Sequence, residues 1–541
     1  MLSFIGKLWR KETPDVTVAA VLIGLASLAS RLMGMLRDRL LATTFGAGDS
    51  LDAYYAAFRL PDLFYQLIVL GALSAGFIPV FAEYLERHGR DDAWKLAERV
   101  FSCILIILAV VCGMLTLVAH WFVPLTVPGF SGDKLALTVG LTQILFVSTF
   151  MLGLSAVMGG ILQATKRFLA FSFAPVLYNV GIIIGILTLA PRMGMAGVAW
   201  GVAIGAVLHF SVQALVAIPM GFKRLRWPEF RDPGVIKILK LMVPRVAGLA
   251  ASQINLIILL IFASSLESGS VSVFNLANNL QYVPIGLIGI SFAVAAFPAF
   301  SQLAAVNDTQ GLRAAFLSTT RKILFLIIPS TALMLLLRIQ IIRLILGAGA
   351  FDWSATIRTS DVLAIFTFAL ATQSMIPLMA RVFYALQDTR TPFFISIFAL
   401  IVNTLLAWWL RGPLGIAGLA VAFSVDSYLQ CGMLWYFLRR RYGHLDGKVL
   451  SISLSKTIIA SVALFGFGWL ARQFVGTIFP LRTFWQVGLQ AGTASVVGIA
   501  AFCILAKLLR VQEFAEFMAA MKSKLLRTAK VTEGAEQARG V

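Results

Sequence analysis

The stretch VTVAAVLIGLASLASRLMGMLRDRLLATTF (residues 16–45) is an apolar run that carries four charged side chains. It is longer than the about 20 residues that a helix needs to cross a bilayer. Arg31 lies near its middle, and Arg37, Asp38 and Arg39 lie nearer its end. Because a charge at such depth is costly, it usually faces a partner or a water-filled cavity. The run therefore predicts a membrane helix with a functional polar face.

The composition of the whole chain is that of an integral membrane protein. Of its 541 residues, 59% are hydrophobic and only 13% are charged, and the mean hydropathy is +0.88. A soluble chain of this length carries roughly a quarter charged residues. The net charge of +20 is concentrated in loops between apolar runs. We therefore interpret it as membrane topology and contact with anionic lipid headgroups, and not as nucleic-acid binding.

The apolar runs predict an all-α integral membrane protein with about 14 transmembrane helices. The loops at 86–95, 223–232 and 439–448 are rich in Lys and Arg, whereas the alternate loops are not. By the positive-inside rule, both termini are cytoplasmic. The predicted spans cover residues 16–45, 51–82, 97–121, 134–162, 167–190, 195–220, 236–264, 271–301, 316–345, 359–386, 391–410, 414–438, 451–471 and 484–507.

The two halves of the chain resemble each other at a nearly constant offset. GILQATKRF (160–168) aligns with YALQDTRTPF (384–393), and Asn179 then falls on Asn403. MGMAGVAW (193–200) aligns with LGIAGLAV (414–421) further along. Six spans per copy make a parallel repeat, the arrangement of two-lobed alternating-access transporters.

This repeat predicts five parts of the chain, which are a cytoplasmic N-terminal segment (1–15), an N-lobe (16–222), a C-lobe (223–440), an extra helix pair (441–508) and a cytoplasmic amphipathic helix with a tail (509–541). In the last part, Phe514, Phe517, Met518, Met521 and Leu525 share one helical face. That pattern is typical of a helix lying on the inner leaflet.

Polar side chains within the apolar runs are the candidate substrate-binding residues. An arginine-rich cavity suits an anionic substrate, because a guanidinium binds two phosphate oxygens at once. Asparagines suit hydroxyls and amides, and helix–helix hydrogen bonding is their alternative role. The charges could equally neutralise one another, and Pro61 is expected to kink the second span. The candidates are Arg31, Arg37, Asp38, Asp52, Arg59, Asn278 and Asn279.

Asp426 lies within the twelfth predicted span and is a candidate for binding a proton or a sodium ion. Pairing with Arg381 is the alternative. The histidines are scattered, and neither a phosphate-binding glycine loop nor metal-ligand spacing occurs in the sequence. We expect a transporter and not an enzyme, working as a monomer without a cofactor. Membrane potential, sodium and protons stay open as energy sources.

Six motifs follow one another along the chain, and they are SRLMGMLRD (30–38), FGAGDSLDAYYAAFRLPDLF (45–64), ALSAGFIPVFAEY (72–84), TVPGFSGDKLALT (126–138), GGILQATKRFLAFSFAPVLYN (159–179) and YALQDTRTPF (384–393). In this order they resemble the MurJ (MviN) family of lipid II flippases in the MOP transporter superfamily. The resemblance covers nearly all of the first twelve spans. It implies that the chain moves undecaprenyl-diphosphate-linked peptidoglycan precursor from the inner to the outer leaflet of the bacterial cytoplasmic membrane by alternating access, for peptidoglycan synthesis and cell shape.

The resemblance also implies roles for particular residues. Arg31 and Arg37 match first-helix arginines that contact the diphosphate-sugar headgroup in the family. Asp52 matches the aspartate of the second helix, and the two extra helices match a groove for the lipid tail.

The sequence departs from the family at two places. Tyr65, Gln66 and Leu70 replace an arginine pair and a glutamate, and Asn278 and Asn279 replace an Asp-Arg pair. Either Arg59 and the first-helix arginines bind the diphosphate alone, or the substrate is another polyprenyl-linked glycan. A cation-coupled MOP exporter and a membrane scaffold for cell-wall enzymes are further alternatives.

Overall fold

The computed structural model describes residues 16–67, 76–443, 447–479 and 483–519, and the side chains of these except 16–21, 242–252, 442 and 448. Every regular element in these ranges is a helix, which confirms the all-α prediction. The predicted N-terminal segment, Leu70, and the chain beyond residue 519 lie outside the described residues.

The first seven predicted spans coincide with helices. A π turn, Gly185–Leu189, follows α7, and a 3-10 turn, Ile218–Met220, follows α9. The helices are α1 (Val16–Phe45), α2 (Asp49–Ala57), α3 (Arg59–Tyr65), α4 (Ile78–Arg87), α5 (Arg90–Thr126), α6 (Gly132–Ala164), α7 (Phe168–Ile184), α8 (Ala190–Met193), α9 (Met195–Ala217) and α10 (Pro233–Ser264).

The later spans are helical as well. A π turn, Ile285–Ile290, follows α11. Gly415 has a φ of 55° inside α16, so two predicted spans meet there in one long helical element. The helices are α11 (Ser270–Pro284), α12 (Ser291–Ala305), α13 (Thr309–Ile345), α14 (Trp353–Phe368), α15 (Leu370–Ala385), α16 (Arg390–Tyr442), α17 (Gly447–Ile478), α18 (Phe484–Leu508) and α19 (512–519).

Within the described ranges, 9 helical stretches are long and apolar enough to cross a membrane. A tenth results if α14 and α15, which are bent by 47° at their junction, form one span. In its described residues, the second predicted span is divided into the short helices α2 and α3 and the start of α4. The chain is therefore a multi-pass membrane protein, and the total of fourteen spans stays a prediction.

The chain divides into two compact units. Unit 1 comprises Met1–Asn275, Ile345–Ala355 and Ala407–Leu419. Unit 2 comprises the remainder, Leu276–Leu344, Thr356–Leu406 and Ala420–Val541. The units group residues that are close in space, whereas the predicted lobes group residues by the sequence repeat. The units therefore do not test the lobe boundaries, which stay predictions.

Glycines set the closest helix approach in unit 1. Gly181 and Gly185 face Gly205 and Gly201, respectively, and a Cβ at any of these positions would overlap the facing backbone. Residues of this size at every fourth position let membrane helices pack tightly. The contact holds α7 between α9 and α1, and it places Asn179 of α7 against α1.

Aromatic residues contribute to the core of unit 1 near its basic loops. The rings of Phe77 and Phe81 stack at 5.4 Å between centroids, and Trp94 packs edge-on against Phe81 at 5.8 Å. These residues belong to a buried cluster that α4, α5, α6, α9 and α10 share. This cluster braces the start of α5 and the loop that precedes α10.

Unit 2 has a core of its own between α12, α13, α15 and α16, with Phe300, Phe316 and Phe383 fully buried or nearly so. The extra helices α17 and α18 pack against α13 through a second cluster that includes Phe325, and Phe502 lies in it. The last pair of helices is thus attached to unit 2 through α13.

The predicted interfacial helix is described only in its first part, α19. Phe514 packs against the second cluster of unit 2, and the buried Glu513 pairs with Arg321 of α13. Phe517 and Met518 are exposed. This part is therefore docked on unit 2 by Glu513 and Phe514, whereas Phe517 and Met518, one turn later on the same face as Phe514, stay exposed.

Candidate functional site

The polar face of α1 places Arg37 and Asp38 in one ion pair. Arg37 donates to the carboxylate of Asp38 from Nε at 3.0 Å and from Nη2 at 2.8 Å, and its Nη1 donates to Oδ1 of Asn179 at 3.1 Å. Asp38 is buried, whereas the side chain of Arg31 is exposed. The charge of Arg37 is therefore balanced locally, and Arg31 does not share that carboxylate partner.

Asn179 is a polar contact that the sequence analysis did not select for the site. Besides accepting from Arg37, its amide donates to the carbonyl of Pro175 at 3.1 Å and to the hydroxyl of Ser30 at 3.4 Å. The side chain thus orients Arg37 from the neighbouring helix. The alignment of Asn179 with Asn403 in the sequence repeat was the signal that could have selected it. Both side chains are buried in the structure.

The predicted kink in the second span is confirmed. The helix ends at Ala57 and resumes at Arg59. Because Pro61 has no N–H, it leaves the carbonyl of Ala57 without its helical donor, and the Thr142 hydroxyl lies 3.4 Å from that carbonyl. The break puts Arg59 at the first position of α3.

Arg59 has incomplete hydrogen bonding in this position. Its Nη2 donates to Oδ1 of Asn275, and Asp62 attracts it electrostatically. Its Nε is buried and has no hydrogen-bond partner among the described residues. A buried charged donor without an acceptor is costly, so Arg59 retains the capacity to bind an anionic oxygen. Arg31, Arg37 and Arg59 are called the arginine group below.

Asp52 is the most completely satisfied carboxylate of the candidate residues. It is 1% exposed, and its Oδ1 accepts from the backbone N–H of Ser272 at 2.7 Å and from the Ser272 hydroxyl at 2.6 Å. Its Oδ2 accepts from the N–H of Gly269 at 2.8 Å and from Nζ of Lys134 at 2.9 Å. The carboxylate therefore caps the N-terminus of α11, where an anion is favourable.

Asp49 extends this arrangement toward the predicted outer loop. It accepts from Lys134 at 2.6 Å and from the Ser268 hydroxyl at 2.7 Å. The hydrogen bonds from Lys134 and Ser268 lower the pKa of Asp49 below its ordinary value. Asp49, Asp52, Lys134, Ser268 and Ser272 are called the outer cluster below.

A backbone contact lies beside the outer cluster. The N–H of Ala350 donates to the carbonyl of Thr43 at 2.9 Å. Gly46 has a φ of +66°, and a Cβ there would lie 2.7 Å from the Ala350 carbonyl oxygen. Residues from four distant parts of the sequence thus meet at this end of unit 1. Sequence reasoning missed Lys134, because a single lysine at the start of a helix carries no local signal.

Asn278 and Asn279 of α11 belong to unit 2. Oδ1 of Asn278 accepts from Gln281 at 2.8 Å, and Oε1 of the buried Gln281 accepts from Gln373 at 3.1 Å. Asn279 is exposed. The chain from Asn278 to Gln373 links α11 to α15, which corresponds to the helix–helix alternative considered for these residues.

Asp426 is 4% exposed within α16. Nε2 of Gln430, one turn later, lies 3.3 Å from it. Arg381 donates to the carbonyl of Pro377 on its own helix at 3.1 Å, and no contact between Arg381 and Asp426 occurs among the described residues. The coupling role of Asp426 stays a prediction.

Comparison with known proteins places the chain in a family. The family model described as "Lipid II flippase MurJ" matches residues 41–486. A probable lipid II flippase MurJ from Rhizobium tropici is 31% identical over 490 residues, covering 87% of this chain and 88% of the relative. The lipid II flippase MurJ from Burkholderia cenocepacia is 32% identical over 425 residues, with 77% and 82% covered.

Solved structures show the same fold. "Lipid II flippase MurJ, inward closed conformation" superposes with a TM-score of 0.75 at 23% identity, covering 90% of this chain and 98% of that chain. A MATE family transporter of the MOP superfamily gives a TM-score of 0.66 at 15% identity, with 79% and 99% covered. The relatives are named as flippases, which are transporters of multi-pass inner-membrane type. This chain belongs to the MurJ family of lipid II flippases.

Proposed function

We propose that this chain moves lipid II from the inner to the outer leaflet of the cytoplasmic membrane by alternating access. The observation that carries the proposal is the buried Nε of Arg59 without an acceptor, in a broken helix of a chain from this family. A diphosphate supplies anionic oxygens that match such a donor in geometry and charge.

The three residues of the arginine group contribute differently to binding the diphosphate. Arg31 is exposed and Arg59 has an unused donor, so these two contact the substrate first. Arg37 is held by Asp38 and Asn179, and it contributes when a phosphate oxygen replaces the carboxylate. Asn279 is exposed in unit 2, and its role in substrate binding stays a prediction.

The outer cluster acts as a latch in this proposal. Asp52 connects α2, α6 and the start of α11 through its four accepted hydrogen bonds. Opening a path to the outer leaflet requires these hydrogen bonds to break. Substrate binding or the energy source then offsets the free energy that breaking them costs. Asp426 is the candidate for ion coupling, with sodium, protons or the membrane potential as the driving force and no cofactor.

The proposal further assigns both termini to the cytoplasm, a monomer as the working form, and anionic lipids as contacts of the basic loops. A flippase for another polyprenyl-linked glycan is the second candidate. It is favoured by Asn278, which is held in a neutral hydrogen-bond chain with Gln281 and supplies no positive charge.

The test is expression of the full chain in bacteria depleted of their own lipid II flippase. Outer-leaflet lipid II, measured by its accessibility to an external probe, is expected to return with the wild-type chain and not with Arg31→Ala. Arg192→Ala is the matched control, because Arg192 is also exposed but lies in the short helix α8.

Two results would contradict parts of the proposal. Normal flipping by Arg31→Ala at equal membrane levels would remove Arg31 from the site. Failure of the wild-type chain despite correct insertion would exclude lipid II and favour another polyprenyl-linked glycan.

A further inference from the structure

The loop before α10 is rigidly built although it has no regular secondary structure. It begins at Gly221, whose φ of +151° favours glycine and whose added Cβ would lie 2.5 Å from Nε1 of the Trp94 ring. The buried carboxylate of Glu98 accepts from the backbone N–H groups of Lys223 at 2.7 Å and Arg224 at 3.1 Å. It also accepts from Nε of Arg226 at 2.7 Å.

This loop presents large apolar and cationic side chains outward. Trp227 is 89% exposed and Leu225 is 60% exposed. Arg224 is exposed as well, and its guanidinium has no hydrogen bond or ion pair among the described residues. Tryptophan beside unpaired arginine is typical of the boundary between the acyl chains and the headgroups of a membrane.

A groove separates the loop from α5. It has a volume of about 410 Å³ and is lined on one side by Leu105 and Ile106 of α5 and on the other by Leu225 and Trp227. A second cavity of about 320 Å³, lined by Arg99, Arg224, Arg226 and Glu229 among others, lies at the same loop. The site therefore combines an apolar groove with a charged end at which Arg224 has no carboxylate partner among the described residues.

The apolar groove continues onto a stripe of α5. Ile106, Val110, Met114, Leu117 and Trp121 are all exposed at the three- and four-residue spacing of one helix face. In a membrane protein such a stripe faces acyl chains. The positive-inside rule predicts that the basic end of this stripe lies at the inner leaflet.

We propose that this groove binds one anionic phospholipid of the inner leaflet, at a site separate from that of the transported substrate. The headgroup phosphate contacts Arg224 and the neighbouring Arg226, Trp227 covers the glycerol region, and an acyl chain follows the stripe on α5. An anionic headgroup is favoured over a zwitterionic one through Arg224 alone, because its exposed guanidinium has no carboxylate partner among the described residues, whereas Arg226 and Arg99 are paired.

The test uses the purified full chain, delipidated in detergent and titrated with phosphatidylglycerol or phosphatidylcholine, with bound lipids counted by native mass spectrometry. Wild type is expected to bind one phosphatidylglycerol that Arg224→Gln and Trp227→Ala bind about tenfold more weakly, since a charge-assisted hydrogen bond is lost in the first variant. The matched controls are Arg192→Gln and Trp485→Ala, in which Trp485 is 82% exposed elsewhere.

Four results would overturn the proposal. These are equal binding of phosphatidylcholine, unchanged binding by both loop variants, equal loss in the two controls, and displacement of the bound phosphatidylglycerol by lipid II, which would make the groove part of the substrate path. The readout is binding alone, so it is independent of whether the chain flips lipid II.

Discussion

The outer cluster and the arginine group both place charged side chains inside unit 1, but they differ in how completely these side chains are satisfied. Asp52 accepts four hydrogen bonds. Arg59 makes one hydrogen bond to Asn275, and its Nε makes none among the described residues. A saturated buried charge holds structure together, whereas an unsaturated one retains the capacity to bind a ligand. The number of hydrogen bonds that a buried charge makes therefore distinguishes the outer cluster from the arginine group better than charge alone does.

The largest expected effect comes from removing the charge of the saturated residue. Asp52→Asn is expected to lower the free energy of unfolding by about 3 kcal/mol, because the remaining amide oxygen can serve Ser272 while Lys134 and the N–H of Gly269 lose their charged acceptor. The measurement is thermal unfolding of the purified protein in detergent. Asp49→Asn is the control and should cost less than about 1 kcal/mol, since the Asp49 side chain is 61% exposed. Equal losses of unfolding free energy in Asp52→Asn and Asp49→Asn would contradict the structural role assigned to the saturated carboxylate.

The second prediction concerns the unsaturated residue. Arg59→Gln is expected to weaken equilibrium binding of lipid II about tenfold or more, since one charge-assisted contact is lost. The free energy of unfolding should change by less than about 1 kcal/mol, because the lost hydrogen bond to Asn275 and the lost attraction to Asp62 are offset by removal of a buried charge whose Nε has no acceptor among the described residues. Arg59→Lys keeps the charge without the planar fork and should rescue binding in part. A large loss of stability with unchanged binding would make Arg59 structural.

A smaller effect is expected for the residue that orients Arg37. Asn179→Ala removes the hydrogen bonds to Arg37 and Ser30 and should lower the free energy of unfolding by about 1 kcal/mol. Lipid II binding should fall several-fold as Arg37 loses its orientation. Asn179→Asp restores an acceptor for Arg37 and should recover most of the loss. Identical behaviour of the two variants would show that the hydrogen bond to Arg37 is unimportant.

The smallest effect is a pH dependence at the rim of the outer cluster. The folded-state pKa of Asp49 lies below its ordinary value because Lys134 and Ser268 donate to the carboxylate. Its stabilising contribution is therefore present above the ordinary pKa of 3.8 and is lost as the pH falls through the lowered value. The melting temperature of wild type should fall slightly more than that of Asp49→Asn on acidification from pH 6 to pH 3. Parallel pH profiles would contradict this.

The membrane helices and the break near Pro61 followed from local sequence. Apolar runs of sufficient length predict helices wherever they occur, and a missing N–H acts on a carbonyl four residues earlier. The family was likewise apparent from contiguous motifs, and the comparisons confirm it. The polar residues of the candidate site were found because a charge in an apolar run is conspicuous.

The partners of those residues could not be found in the same way. Asp38 falls on nearly the same face of α1 as Arg31 by helical periodicity, yet it pairs with the adjacent Arg37, whose long side chain reaches back to it. Lys134 and Ser272 are distant in sequence from Asp52 and come to it only through helix packing.

The sequence by itself determined that this protein spans the membrane many times, that it belongs to a flippase family, and which charges enter its apolar segments. These properties depend on composition, periodicity and contiguous motifs. Only the tertiary structure decided which charges are satisfied, because that depends on which distant donors the folded helices bring within hydrogen-bond distance. The same reason explains why Asp52 forms a saturated latch while Arg59 keeps a donor for substrate.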